Sequence, residues 1–581
     1  MPGLIGVTNK NNVITAKQIL RARASMKDVQ ERCKDDILFQ DENIIATRTH
    51  LNFIGEKTSP IKLGNVFCWV EGEIYNTEEI KSIFDFTTDS FAEILLISYS
   101  NNILEKVLGK IDGYFSAVIY DKTELQINLI SDRYGLKPLY FYHRNGLFFW
   151  SSEVKGFLPL EPFRPEINPE AVNCFMDVGH MIGNLTWLKN VEMLFASAVL
   201  TYDINKGRIL KKSRYWNWSE IKPEKIEFDD ASVTLGKLIK KSVNKRIHPS
   251  KKIGVSLSGG LDSRAILSSI DDASNVFTYT FGAKDSLDAE IASMVAQIKK
   301  SPHLFIELNE NNWLDNRFRG IWRSDGMLHF MHMQGCITHN KIIELCNISL
   351  YGTRVGGGYF LKKLKNKQLN KRISKSSASL IFGSYIKHDD TDDSFYDVDH
   401  IDPYFINNRI RMFTNRGCIA VSEGIEHRNP LLDNDIVEFT FSLPDEYRIN
   451  TKIYNQSLLY TFPEMYSKIP WEKTGFPISK KITPLTKTFK EIERFSVRIG
   501  LQKRRKMLKN REWINSPAAL NFMKKILEPS GAIYPDYVRE NILEKYLIPH
   551  SNGDKNYSEQ IGRAMTMELW FQQVFNRKYI E

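Results

Sequence analysis

The chain of 581 residues is 42% hydrophobic and 25% charged with a formal net charge of +10, an ordinary balance for a soluble globular protein with room for about two to four domains. No apolar run reaches membrane-spanning length and Met1-Pro2-Gly3 opens no signal-peptide pattern, so no membrane contact is expected and the expected location is the cytoplasm. Six scattered cysteines (33, 68, 174, 336, 346 and 418) include no CxxC pair, which excludes a zinc or disulfide framework and reads as reduced, mostly buried thiols. Residues 1 to about 205 carry short alternating runs such as Val66 to Val70, Phe115 to Tyr120, Leu125 to Ile130 and Leu147 to Trp150, separated by turns at Asp112-Gly113 and Asn145-Gly146. With helical segments near 91–100 and 103–109, this predicts a sandwich of two sheets with helices outside. The polar stretch 205–228 predicts a boundary. Beyond it the pattern becomes helix 229–246, strand 252–257, helix 262–270, strand 276–281, helix 287–299 and strand 304–307, the alternation of a parallel sheet with crossover helices. From about 310 the chain reads as mainly helical, with a loop-rich insertion near 385–405. The expected division is 1–205 and 229–581, and the expected class is α/β with a mainly helical C-terminal part.

Between the strand ending at Leu257 and the next helix stands Ser258-Gly259-Gly260-Leu261-Asp262-Ser263. A strand, a glycine-rich turn and a helix start present backbone N–H groups toward one point, which suits an anion. Adjacent glycines let the backbone approach a phosphate, the serines add donors, and Asp262 offers a carboxylate to a phosphate-bridging Mg²⁺. The loop is not a Walker A loop. Gly109-Lys110 and Gly236-Lys237 are followed by Ile and Leu and so lack the metal-binding hydroxyl. SGGLDS resembles instead the pyrophosphate loop of the ATP-pyrophosphatase families, which implies cleavage of ATP between its α and β phosphates and transfer of AMP to a substrate oxygen.

Further motifs follow in order. Val70 to Asn76 (VEGEIYN), Ser131 to Tyr140 (SDRYGLKPLY), Ser152-Glu153-Val154-Lys155, the SGGLDS turn, Gly424 to Asp433 (GIEHRNPLLD), Trp471 to Phe476 (WEKTGF) and Met565 to Phe571 together resemble the asparagine synthetase family over essentially the whole chain. The resemblance implies a glutaminase-like αββα sandwich of the Ntn-hydrolase kind, followed by an ATP-pyrophosphatase synthetase domain. It implies ATP and Mg²⁺ as cofactors. It carries ATP or pyrophosphate contacts onto Leu257, Ser258, Gly259, Gly260, Leu261, Asp262, Ser263, Phe281 and Gly352, the metal onto Asp262, and charge stabilisation during amine attack onto Lys473.

The departures concern the amine. Glutamine-dependent members carry at residue 2 a cysteine whose thiol attacks glutamine; here residue 2 is Pro2. The family's oxyanion-binding asparagine falls on Glu71, an anion that would repel one. Asp89 falls where the family holds the glutamine amine. These three positions read as a degenerate glutaminase site, as in β-lactam synthetases and lasso-peptide macrolactam synthetases. Tyr351 falls where the β-lactam synthetases carry a catalytic tyrosine, and packing is its alternative reading. The family's second metal-binding aspartate falls on Arg354, which leaves three readings open: a different gap placement, an altered metal site, or an impaired enzyme. Asp325 lies where a relative carries a carboxylate facing substrate. Met327, His329, His332 and Met333 read as pocket wall or core, and the acidic stretch Asp389 to His400 as a solvated loop.

The expected function is therefore an ATP-dependent amide-forming ligase without glutamine hydrolysis. Its expected substrate is a peptide or small molecule bearing a carboxylate and an amine, with free ammonia as the alternative amine and a catalytically silent scaffold as the alternative role. A second copy of the chain or a pathway protein is an open partner. The basic runs Lys362 to Lys375 and Lys503 to Arg511 read as solvated faces, and no nucleic-acid motif accompanies them.

Overall fold

The computed structural model describes residues 2–9, 13–27, 32–51, 58–248, 250–354, 366, 368, 395–396, 401–422, 424–480 and 505–578. Two antiparallel sheets form the first unit. One has seven strands, with Gly3–Thr8 between Leu147–Ser151 and Ile44–His50. The other has six, in the order Arg208–Arg214, Ala198–Asp203, Gln126–Ser131, Gly113–Asp121, Val66–Ile74 and Ile61–Leu63. Alternate residues of a strand face opposite sides, and the apolar runs exploit this. Leu4, Ile44, Phe148 and Trp150 meet Trp69, Val118, Leu129 and Leu200 between the sheets. Val70, Phe115, Ala117 and Ile130 face the helices Thr77–Phe84, Phe91–Ser100 and Leu104–Leu108. Ile5, Val7 and Ile45 face the opposite side, where the helices Ala16–Ser25, Pro169–Val178 and Ser558–Phe575 pack. The αββα sandwich is as expected. The helices at 16–25, 77–84 and 169–178 are additions to the expected set. Two of them carry readable caps: a Thr15/Gln18 capping box and Asn168 before Pro169.

The boundary needs correction. Arg208–Arg214 pairs with Ala198–Asp203, so Asn205-Lys206-Gly207 is a hairpin turn and the sandwich continues past residue 205. The strand was obscured because it lies on an edge, has no buried residue, and carries Arg208, Lys211 and Lys212 exposed.

The second unit is built on a five-stranded parallel sheet in the order His303–Glu307, Val276–Gly282, Ile253–Ser256, Ile348–Leu350 and Glu426–Arg428. Helices Phe228–Asn244, Asp262–Ser268 and Leu287–Ile298 cover it through Leu235, Ile239, Ala265, Ile266, Ile291 and Val295. The chain first builds outward on one side of Ile253–Ser256 and then returns to the other. That strand is the switch point of the sheet, and ligands in such sheets bind at the carboxyl end of the switch. The SGGLDS turn leaves from that end. The remainder is mainly helical. The acidic residues between Asp389 and His400 and the first basic run lie outside the described residues.

Candidate nucleotide and acyl-transfer site

The turn is knit by its own hydroxyls and one carboxylate. Ser258 N–H donates to Ser263 Oγ at 3.2 Å, Gly260 N–H to Ser258 Oγ at 3.2 Å, and Gly259 N–H to Asp288 Oδ1 at 3.0 Å. Burial raises the pKa of Asp288, while the Gly259 N–H opposes the rise. A side chain at Gly259 would put its Cβ 2.6 Å from Glu472 Cβ, and one at Gly352 would lie 2.9 Å from Asp262 Cβ. Both glycines are therefore required by close approach. Leu257 N–H bonds Tyr279 O at 2.8 Å, which extends the strand ladder to the lip of the turn. Phe281 closes the neighbouring strand and is half-buried.

Two hundred residues later the chain returns to this turn. Glu472 N–H donates to Gly259 O at 3.1 Å, so the loop carrying Lys473 is docked on the turn. The loop closes on itself through Trp471 N–H to Phe476 O at 3.0 Å and Gly475 N–H to Trp471 O at 2.7 Å. Lys473 is exposed, with its ammonium 5.4 Å from the Trp471 ring centre. Beneath the turn, the fully buried Arg264 donates to Met465 O at 3.2 Å, Ile469 O at 3.2 Å and Pro470 O at 2.7 Å. Tyr466 OH donates to Leu261 O at 2.8 Å. Sequence reasoning missed Arg264, Tyr466, Asp288 and Tyr454. The one local signal was an arginine on the buried side of the helix that starts at Asp262.

Both oxygens of Asp262 accept hydrogen bonds, Oδ1 from Tyr454 OH at 2.9 Å and Oδ2 from Arg354 N–H at 3.3 Å. Burial, and after it the Asp262 charge, hold the Tyr454 pKa well above the usual tyrosine value, so the hydroxyl stays a donor. Mg²⁺ binds through one or two carboxylates plus phosphates and keeps several waters. Asp262 retains lone pairs for one such ion carried by phosphates. The neighbouring position is Arg354, a cation, and the donor set there does not fit a second ion.

Three expectations change. Asp325 is not a substrate contact. It is 2% exposed, and its carboxylate accepts from Val154 N–H at 2.9 Å, Lys155 N–H at 3.2 Å and Lys155 Nζ at 3.2 Å. Both oxygens are spent on joining the two units. Tyr351 faces the contact between the units, beside Tyr75, Tyr114 and Asn429, with Cys418 as its hydroxyl partner. Burial places its pKa well above the usual value, unsuited to a base. The Glu71 carboxylate is 4% exposed and neutralised by Lys137 at 3.1 Å, which also approaches Glu426 of the parallel sheet at 3.5 Å. Burial lowers the Lys137 pKa, but the two carboxylates prevail and raise it, so the lysine stays charged.

At the other positions expected to form a degenerate glutaminase site, Pro2 is buried and leads into the first strand. Asp89 lies on the rim of a cleft of about 780 Å³, paired with Lys81 at 2.5 Å. Cys33 lies within electrostatic reach of Glu71, and burial raises its thiol pKa, which favours the unreactive thiol. His329, His332 and Glu559 cluster within 4.8 Å. However, His329 donates from Nε2 to Glu559 O at 2.8 Å and accepts at Nδ1 from Met331 N–H at 3.0 Å, leaving no lone pair for a metal. Met327 and Met333 are core.

Comparison with known proteins decides the lineage. A glutamine amidotransferase domain model matches residues 1–216 and an asparagine synthase model matches residues 234–336. The chain belongs to the asparagine synthetase family. A putative glutamine-hydrolysing asparagine synthetase 1 of Methanocaldococcus jannaschii is 24% identical over 483 residues, 78% of this chain and 82% of the relative. A putative glutamine-hydrolysing asparagine synthetase 2 of that organism is 31% identical over 225 residues, 37% of this chain and 43% of the relative. Asparagine synthetase 2 of Bacillus subtilis is 24% identical over 452 residues, 66% of this chain and 58% of the relative. The chain therefore spans less than two thirds of the latter two. In this chain the docked lysine loop joins two motifs that are far apart in sequence. No helix among the described residues is long and apolar enough to cross a membrane.

Proposed function

We propose that this asparagine synthetase family chain is an ATP-dependent, AMP-forming carbon–nitrogen ligase that joins a carboxylate and an amine without hydrolysing glutamine. A substrate carboxylate oxygen attacks the α-phosphorus of ATP, the bond from that phosphorus to the bridging oxygen breaks, and pyrophosphate leaves into the Ser258–Ser263 turn. The amine nitrogen then attacks the acyl carbon, the bond to AMP breaks, and the amine proton passes to solvent or a base. Lys473 stabilises negative charge at that second centre. Bound Mg²⁺ would neutralise phosphate charge beside Asp262. Leu257, Phe281 and Gly352 line the nucleotide approach. The observation that carries the reading is the hydrogen bond from Glu472 to Gly259, which brings the lysine loop to the nucleotide turn.

Pro2 and the Glu71–Lys137 pair support the absence of glutaminase chemistry. Proline offers no nucleophilic side chain, and the oxyanion position is filled by a neutralised carboxylate. In this reading the sandwich is a structural unit, residues 229–581 are the synthetase, and the amine comes from the substrate itself, giving an intramolecular amide in a peptide or metabolite. The expected setting is the cytoplasm.

Carboxylate-dependent exchange of pyrophosphate into ATP tests the first half-reaction across a substrate panel. The expected result is exchange that disappears in Asp262→Ala, and exchange undiminished by that change would remove the mechanism. Glutamate release from glutamine above background would remove the second claim. Amide formation that requires added ammonium would assign free ammonia as the acceptor.

A further inference from the structure

We infer that Glu73 of the first unit is a positioning residue for the nucleotide site, holding residues 351–354 against Asp262 through Arg428 and Asn429. The inference rests on the ligase reading above. Its first support is an edge strand held from outside. Glu426–Arg428 is three residues long and pairs with Ile348–Leu350 at the edge of the parallel sheet. So short a strand has few ladder bonds of its own. Residues two apart on a strand share a face, and Glu426 and Arg428 both meet the first unit. Lys137 approaches Glu426 at 3.5 Å. Glu73 takes Arg428 in a fork, with Oε1 at 2.5 Å from Nε and Oε2 accepting from Nη2 at 2.7 Å. Tyr75 OH donates to Glu73 Oε1 at 3.1 Å, and Arg428 Nη1 donates to Arg246 O. A fork of this kind fixes orientation as well as charge.

The second support is an unbroken run of bonds from Arg428 to the turn. Arg428 O accepts from Tyr351 N–H at 3.1 Å. The next residue, Asn429, clasps Thr353: its Oδ1 accepts from Thr353 N–H at 3.3 Å and its Nδ2 donates to Thr353 O at 3.3 Å. Asn429 Oδ1 also accepts from Leu431 N–H at 3.1 Å, which fixes the side chain. Arg354 N–H then donates to Asp262 Oδ2 at 3.3 Å, and a Cβ on Gly352 would lie 2.9 Å from Asp262 Cβ. Residues 351–354 are a single layer between Arg428–Asn429 and Asp262. The Arg354 N–H and Tyr454 OH are the two donors that set the direction of the Asp262 carboxylate, so a shift of this layer turns the carboxylate.

The third support is contrast with other ties between the units. Arg133 pairs with Glu438 on the helix Asn434–Ser442, and Lys155 pairs with Asp325 at 3.2 Å. Neither pair touches residues 351–354. They join the units, whereas the Glu73–Arg428 fork lies two bonds from the layer on Asp262. Partners that act through a second side chain orient a binding carboxylate without touching the ligand.

Calorimetric titration of the full-length protein with Mg-ATP, together with amide hydrogen exchange of residues 351–354, tests this. Glu73→Gln and Asn429→Ala are each expected to weaken Mg-ATP binding by about tenfold and to speed exchange in that segment. The double variant is expected to bind no more weakly than the weaker single one, since both act on one layer. Glu438→Gln breaks an ion pair between the same two units and is expected to leave both readings at the wild-type value. Thermal melts establish that the variants are folded; if Glu73→Gln is not, Arg428→Lys, which keeps the charge without the fork, carries the same expectation. Wild-type binding and exchange in the folded fork variant, or equal losses in Glu438→Gln, overturn the positioning role and leave the ligase reading intact. No Mg-ATP binding by the wild type overturns both.

Discussion

Arg264 donates to the carbonyl of Pro470 at 2.7 Å, which ties the helix that begins at Asp262 to the segment that delivers Lys473. The same guanidinium holds Met465 O and Ile469 O, so one side chain fixes the approach of the whole lysine loop. Arginine suits this task because its rigid fork reaches several acceptors at once.

Lys473→Ala separates the two half-reactions. Pyrophosphate exchange is expected to stay within about threefold of wild type, while amide formation falls by about 10²–10³, the size of effect seen when one charge-stabilising group is removed from a transition state. Parallel exchange and product assays check it, and loss of both activities together would place Lys473 in nucleotide binding instead.

Arg264→Lys keeps the charge but not the fork. Amide formation is expected to fall by about tenfold or more with exchange largely kept, because the lysine loop loosens. The double variant with Lys473→Ala is expected to be no slower than Lys473→Ala alone, since both act on one group. Additive losses in that cycle would show an independent role for Arg264.

Asp325→Asn is expected to cost stability and not substrate affinity. Breaking a buried charge pair costs about 3–5 kcal/mol, and Lys155 would be left with Glu153 at 2.7 Å as its remaining carboxylate. Urea unfolding reads the loss. The KM for the carboxylate substrate of folded protein is expected not to change, and a raised KM would restore Asp325 as a substrate contact.

Acid is expected to destabilise the fold through His329. Burial first, then the neighbouring His332, lower its pKa to about 3 in the folded protein, against about 6.5 in the unfolded chain. Below the unfolded value the unfolded chain binds a proton that the folded one refuses. Stability therefore falls as pH drops from about 6.5 toward 3, by about 1.4 kcal/mol per pH unit for this group. Urea midpoints measured across that window check it, and His329→Gln is expected to flatten the slope.

Much of the fold is legible in short windows. The expected strand and helix positions from 229 to 307 agree with the structure to within a few residues, because apolar period and turn chemistry act locally. The edge strand Arg208–Arg214 was not legible, since exposed basic residues on an edge carry no burial pattern. The strands Ile348–Leu350 and Glu426–Arg428 are too short for a period to say which way the following residue faces, and the direction of Tyr351 was therefore open.

By itself the sequence determined the strand–turn–helix at Ser258–Ser263, the parallel sheet that carries it, and the absence of a nucleophilic side chain at Pro2. Each depends on residues adjacent in the chain. Only the tertiary structure decided that Asp325 is consumed by Lys155, that Glu71 is neutralised by Lys137, and that Arg354 and Tyr454 share the carboxylate of Asp262. These are pairings between charges far apart in sequence. Which partner a charge finds is set by packing across layers, and no local pattern records it.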